Sequence, residues 1–468
     1  MPTTRLIRPA YAENFRCIGS NCEETCCKGW SVPVDKAAHE KFQGLPESPL
    51  RTLIHASVLL APKDAKPEDG FGKAGFAKLV MNDSNECPLL SAERLCRVHG
   101  EFGEEFLPHT CATYPRIVHS LGAYQEKALA FSCPEAARVV LLDPNLSVPT
   151  ARHAAAAAAD SIDSGEARPW LPPYFWPIRD AAIELVRNRA YPLWQRLFLL
   201  GVFSQRLDAI AAGQLDRSIP QFLCDFDSTV SRGSLQRMME AQPIDHAAQL
   251  DVVLRLAGLM LQRSNVTPRF GECIHAFTTG IGNGPGATFE KLTAEYTHVH
   301  DRYFAPFFAR HPHILENYLI NTILRCQFPF GTEGMKEGAV PTMTREFAQL
   351  TAQFALTKGL LIGVAGFHRE SFSVDHVVHT AQAASKHFEH HPEFLKLAFE
   401  LLAESKMDGA RGTAILLRNA EPLAQKQASR EKYAQEPYAG IGRAVFPATS
   451  SKGQAIRRSG PAPRPTGA

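Results

Sequence analysis

Eight of the chain's eleven cysteines are crowded into its first 133 residues: Cys17, Cys22, Cys26, Cys27, Cys87, Cys96, Cys111 and Cys133. Spread evenly over 468 residues, roughly three would fall there. Four of the eight, Cys17, Cys22, Cys26 and Cys27, lie within eleven residues. A segment so rich in sulfur folds around disulfides or around metal, and the compartment decides which. The opening stretch Met1–Ala10 has no apolar core followed by a small-residue cleavage site, so the chain is expected in the cytoplasm, where thiols stay reduced. Metal ligation is therefore the expectation for all eight.

The spacing narrows the metal. Neighbouring Cys26 and Cys27 bridge poorly to each other, but each can reach a different metal atom. Thiolates select Zn²⁺ or the iron of Fe–S clusters. Neither paired CxxC zinc knuckles nor the CxxxCxxC run of radical S-adenosylmethionine enzymes is present: Cys22-x3-Cys26 begins like the latter and departs at the third cysteine. The flanks Cys87-Pro88, Leu107-Pro108-His109-Thr110-Cys111 and Cys133-Pro134 suit loops that wrap a metal, with backbone N–H groups available to sulfur. The isolated Cys224, Cys273 and Cys326 read as small buried hydrophobes.

The remaining sequence excludes more than it assigns. Hydrophobic residues make up 45% and charged residues 21%, with a net charge of +2; this is a folding chain, not one built to grip nucleic acid. Even the apolar segment Leu193–Phe203 is broken by Gln195 and Arg196, so no membrane-spanning helix is expected. Neither membrane nor nucleic acid is an expected partner. There is no GxSxG, P-loop or HExxH motif. Gly280-Ile-Gly282-Asn-Gly284-Pro-Gly286 lacks the GxGxxG spacing and follows a poor strand, so it reads as a flexible loop. His387, His390 and His391 read as a surface cluster at a helix end.

Apolar residues recur at three- and four-residue steps in Leu193–Ile210, Leu250–Leu261, Ile314–Cys326, Phe347–Leu361 and Val374–Phe388, which marks helix faces. The expected fold class is mainly α: a cysteine-rich, loop-dominated N-terminal metal module followed by an α-helical body. The expected organisation is 1–143 for the module, 144–177 for an Ala/Pro-rich connection, 178–440 for the body and 441–468 for a flexible basic tail.

The run Phe15-Arg-Cys17-Ile-Gly-Ser-Asn-Cys22-Glu-Glu-Thr-Cys26-Cys27-Lys-Gly-Trp30, continuing to Val34-Asp35, resembles the opening of the flagellin lysine-N-methylase family. Cys87-Pro-Leu-Leu, Leu95-Cys96-Arg-Val-His99, Thr110-Cys111-Ala-Thr-Tyr114-Pro115-Arg116 and Ser132-Cys133-Pro134-Glu135 follow in that family's order. The block is more distantly similar to CxxCxxCC proteins described as zinc- or iron-chelating. The segments around Arg196, His313–Leu319 and Phe328–Phe330 extend the likeness over about residues 8 to 400. The resemblance implies methyl transfer from S-adenosylmethionine to flagellin lysines, with a [4Fe–4S] cluster on these cysteines. Zinc remains the alternative metal. A zinc- or cluster-stapled helical scaffold that binds a protein partner without catalysis remains the alternative function. Tyr114, Tyr303, Tyr318, Glu316 and Asp301 are the residues from which a base would come, and the sequence does not choose among them. Nor does it choose four ligands from the eight thiols, or a polar transfer over a radical one.

Overall fold

The structure, a computed structural model, describes residues 5–7, 9–65, 69–71, 76–121, 124–149, 171–262, 266–331, 342–389 and 392–419. The stretch 441–468, most of the 144–177 connection, and His390 and His391 lie outside the described residues.

From Leu171 onward the described chain is helical, as its three- and four-residue periodicity predicts. Local chemistry sets many of the boundaries. Ser218, Asp245, Thr267 and Thr288 each accept a hydrogen bond from the backbone N–H three residues on, opening the helices Ile219–Ser231, His246–Leu261, Pro268–Gly280 and Phe289–Val299. Prolines sit in the first turn of the first and third of these, where a missing N–H costs nothing. The body begins earlier than the proline pattern suggests. Leu171–Arg187 is one helix with Pro177 inside it, so the last part of the expected connection belongs to the body.

At the centre lies the 26-residue helix Met343–His368, buried along almost its whole length. It is long and apolar enough to cross a membrane by length and composition, and 94% of its most apolar window is buried by neighbouring helices. It crosses Pro268–Gly280 at very close range: a methyl group at Gly280 would fall 1.8 Å from the Gly363 carbonyl oxygen, and one at Gly363 would fall 2.5 Å from that of Phe277. Residues 281–287 do form a loop, with Gly282 and Gly286 at positive φ, but Gly280 is a helix-crossing residue. His387 also differs from expectation: it is buried, its ring 4.3 Å from that of Phe270. Of the three lone cysteines, Cys273 is buried and Cys224 and Cys326 are half-buried.

The described strands all precede residue 130 and form two small sheets, which the sequence pattern did not reveal. In one, β1 (Arg5–Ile7) runs parallel to β6 (Tyr124–Leu129), which pairs antiparallel with β5 (Arg116–Leu121). In the other, β4 (Ala77–Leu79) lies between β2 (Val32–Val34) and β3 (Val58–Leu60), antiparallel to both. The two sheets serve different cores. The second packs on a small core that includes Phe42, Leu50, Ile54, Leu89 and Val98. The first is part of the large helical core, together with Tyr11, Phe15 and Phe131. Asn321 fastens it there: its side chain donates to the Leu129 carbonyl at 2.8 Å and accepts from Tyr11 Oη at 2.9 Å. Below it, Glu126 and Arg179 form a fully buried ion pair, and Arg179 also donates to the carbonyls of Phe328 and Ile323.

Candidate metal centre

All eight N-terminal cysteines line one cavity of about 640 Å³. Its walls come from both cores: Val32, Phe42, Leu79 and Val98 from the small one, Phe15 and Cys133 from the large one. The seam between two packed cores is a common place for a small-molecule or cofactor site.

Backbone hydrogen bonds position the thiols. The turn Gly19–Asn21 carries the chain from Cys17 to Cys22, with the Gly19 N–H 3.4 Å from Cys17 Sγ. Cys22 Sγ donates to the Glu24 carbonyl at 2.8 Å. At the vicinal pair, the Cys27 N–H donates to Thr25 Oγ1, the Trp30 indole donates to the Cys26 carbonyl, and the Cys87 N–H donates to the Cys27 carbonyl at 2.7 Å. This last bond lies beside a single-residue bridge between Lys28 and Glu86 and brings two segments sixty residues apart together. The turn after Cys87 returns through a bridge between Leu90 and Cys96, which precedes the helix Arg97–Phe102. Cys111 sits on the helix His109–Thr113; the His109 N–H donates to Asp35, which also caps Lys36–Gln43. Burial works to raise the Asp35 pKa, but the His109 and Ala38 N–H groups outweigh it and hold the carboxyl low. Cys133 stands immediately before the helix Pro134–Leu141.

Ionic contacts tie the cysteine loop to the helical body. Glu24 accepts from Lys386 Nζ and Gln382 Nε2, each at 2.6 Å, and Glu23 pairs with Arg138 at 2.6 Å. Glu389 accepts from the backbone N–H groups of Phe131 and Ser132, just before Cys133, and pairs with Arg325.

The donor set is soft, and in this environment six of the eight thiols hold their protons more tightly than usual. Burial pushes Cys87 up to about 11 and Cys133 up to about 12, with neighbouring thiols adding to the shift. A hydrogen bond with Cys27, followed by burial, drives Cys26 up, and burial raises Cys22, Cys96 and Cys111. Arg16, Arg94 and Arg116 line the same cavity, and a bound metal would add the further positive charge that turns thiols into thiolates. Among the described residues no three Cys, His, Asp or Glu side chains are drawn into a closed ligand shell. Eight thiols on one cavity are donors of the type that zinc and iron–sulfur clusters both take.

Of the five residues considered as a base, Tyr114 alone reaches this cavity. It bonds to Ser132 Oγ at 3.2 Å, and burial followed by Cys133 raises its pKa well above the phenol range. Glu316 lies between Arg189 and Arg196, Asp301 binds His300, and Tyr318 bonds to Thr357. A feature that sequence reasoning missed lies nearby: a second cavity of about 650 Å³ lined by Arg269, Glu272, His275, His368, His376 and His379. Its histidines come from three helices and have no shared sequence signature.

A family model described as the FliB lysine N-methylase C-terminal domain matches residues 179–416, about half of the chain. The flagellar biosynthetic protein FliU of Salmonella muenchen is 31% identical over 145 residues, which covers 31% of this chain and 82% of that protein. Lysine-N-methylases of Salmonella choleraesuis and Salmonella typhimurium show the same identity over 145 residues, and the aligned part spans about a third, 34%, of each. No solved structure matches. With half its length matched by the family model and most of one relative covered, the chain belongs to the FliB lysine N-methylase family.

Proposed function

We propose that this chain is a protein-lysine N-methyltransferase of the cytoplasm that moves methyl groups from S-adenosylmethionine to lysines of flagellin, with a [4Fe–4S] cluster held by cysteines of the N-terminal cavity. Family membership and the relatives' names support the chemistry and the flagellar target. The observation that carries the cluster is the convergence of all eight thiols on one cavity. The cluster would supply thiolate-bound iron, redox-active and able to accept a ligand, at the seam between the cores.

Transfer requires the lysine nitrogen in its neutral form. Its lone pair attacks the sulfonium methyl carbon as the carbon–sulfur bond breaks, leaving a thioether and a methylated ammonium. The cavity's own groups suit the first requirement. Burial among the apolar walls of Val32, Phe42, Leu79 and Val98 disfavours a charged ammonium. Tyr114, with its raised pKa, acts there as a hydrogen-bonding group that orients the amine rather than as a strong base. We place the donor at the same seam, between the cysteine-lined loops and the helical body.

The test is to incubate anaerobically purified protein with S-adenosylmethionine and flagellin, then map lysines by tandem mass spectrometry. The proposal expects N-methyllysine on flagellin, and loss of most of it in Tyr114→Phe. Unmodified flagellin with intact, metal-loaded protein would favour the scaffold reading instead.

A further inference from the structure

The second cavity, of about 650 Å³, is walled by the helices Pro268–Gly280, Met343–His368 and Val374–Phe388. Its polar lining is mostly donors. Among the described residues on the wall, Arg269 is the one fixed cation and Glu272 the one carboxylate, beside His275, His368, His376 and His379. Glu272 is exposed to solvent, where its charge is screened. The Arg269 guanidinium is placed but not used. Its Nη2 is buried and has no hydrogen-bond partner among the described residues. The carboxylates that face it, Glu23 and Glu24, stand 3.9 Å away, beyond hydrogen-bond reach. Each is already held elsewhere, Glu23 by Arg138 and Glu24 by Lys386 and Gln382. A buried guanidinium nitrogen without an acceptor costs free energy, and a ligand oxygen in the cavity would relieve it.

His376 supplies a second oriented donor. Its Nδ1 accepts the Ser373 backbone N–H at 3.0 Å, as part of the capping box that opens its helix. The neutral ring therefore carries its proton on Nε2. His368 covers one face of that ring, with centroids 3.6 Å apart and planes 21° from parallel. His379 follows one turn on along the same helix face. We infer that this cavity binds a carboxylate, with Arg269 presenting its guanidinium fork and His376 its Nε2–H. The planar fork matches a planar carboxylate, whereas a dianionic phosphate would meet only one fixed cation on this wall. The inference depends neither on methyl transfer nor on a metal. Two sources offer the group: a free small acid, or an acidic side chain of a bound polypeptide. Arg269 Nη1 lies 3.9 Å from Glu24, which lines the cysteine cavity, so such a side chain would sit beside that cavity.

The test uses the full chain with three probes: butyrate, a peptide alternating glycine and glutamate, and inorganic phosphate. Binding is read by isothermal titration calorimetry and located by acylating histidines with diethyl pyrocarbonate and mapping them by mass spectrometry. Butyrate or the glutamate peptide should bind and protect His376 and His379. Arg269→Gln should weaken that binding about tenfold or more, and Arg269→Lys should recover only part of it, because it restores the charge without the fork. Protection by butyrate alone assigns the site to a free acid, and tighter binding of the peptide assigns it to an acidic side chain; either supports the inference. Phosphate binding tighter than both, binding that leaves these histidines reactive or is unchanged in Arg269→Gln, or no binding of any probe would overturn it. The protection pattern comes from the unmutated chain, so the outcome does not depend on whether the variants fold.

Discussion

Lys358 shows how much one buried charge can bias this molecule. Its ammonium is enclosed within the helical body, donating to the Leu417 carbonyl at 2.8 Å and to Asn419 Oδ1 at 2.5 Å. Burial lowers its pKa from 10.5 to about 7, and His300 and His246 are close enough to feel its charge. Because the folded-state pKa lies below the unfolded one, the unfolded chain binds more protons between about pH 7 and 10.5. Stability therefore rises with pH through that window, and the penalty is complete below it. Lys358→Met should remove that slope, so the variant gains relative to the parent at about pH 7, by on the order of 3 kcal/mol, and loses the gain near pH 10. Urea unfolding at the two pH values checks it. A second residue-scale prediction concerns Glu126. Replaced by Leu, it leaves the Arg179 guanidinium buried without its carboxylate, which should cost about 3–5 kcal/mol in denaturant unfolding. Tyr114 belongs at this scale too. Its motif made it conspicuous in the sequence, but only the fold shows that it, and not Glu316, Asp301 or Tyr318, faces the thiols.

At the scale of elements, the helices were legible and the strands were not. The stripes in 250–261, 314–326, 347–361 and 374–388 mark helices because a soluble helix must present apolar side chains every three or four residues to bury one face. The strands β2, β3 and β4 are three residues each, too short for alternation to register, and their pairing depends on contacts remote in sequence. Gly280 and His387 were misread for a related reason. A glycine-rich run signals a loop, and a histidine near a helix end signals solvent, unless a crossing helix needs the space or an aromatic ring covers the imidazole. The crossing makes a sharp prediction. Gly280→Ala places a methyl group against the Gly363 carbonyl and should cost about 3 kcal/mol or more. Gly258→Ala, inside the helix His246–Leu261 with nothing within 4 Å of the added carbon, should raise stability by about 0.5–1 kcal/mol. Parallel thermal melts of the two variants decide it: equal shifts would mean that the crossing is not tight.

Across the whole molecule, the cysteine set was visible from composition, and its convergence was not. Cys17 and Cys133 are more than a hundred residues apart, and contacts such as the Cys27–Cys87 backbone bond, the Asp35 tie to the Cys111 helix and the Glu24–Lys386 anchor gather the thiols on one wall. Sequence could group them by chemistry but could not show that they share one cavity. Breaking the anchor should loosen the cavity without touching a thiol. Glu24→Gln strands Lys386, should cost about 1–3 kcal/mol, and should make any bound metal easier for a chelator to strip. The claim on which the whole account turns is that this cavity holds iron and sulfide. The most direct measurement is the absorption spectrum of the anaerobically purified chain, taken with iron, sulfide and zinc analysis. The account predicts a brown protein with a broad visible band bleached by reductant, and iron matched by acid-labile sulfide. A colourless chain carrying zinc, or no metal at all, would contradict it.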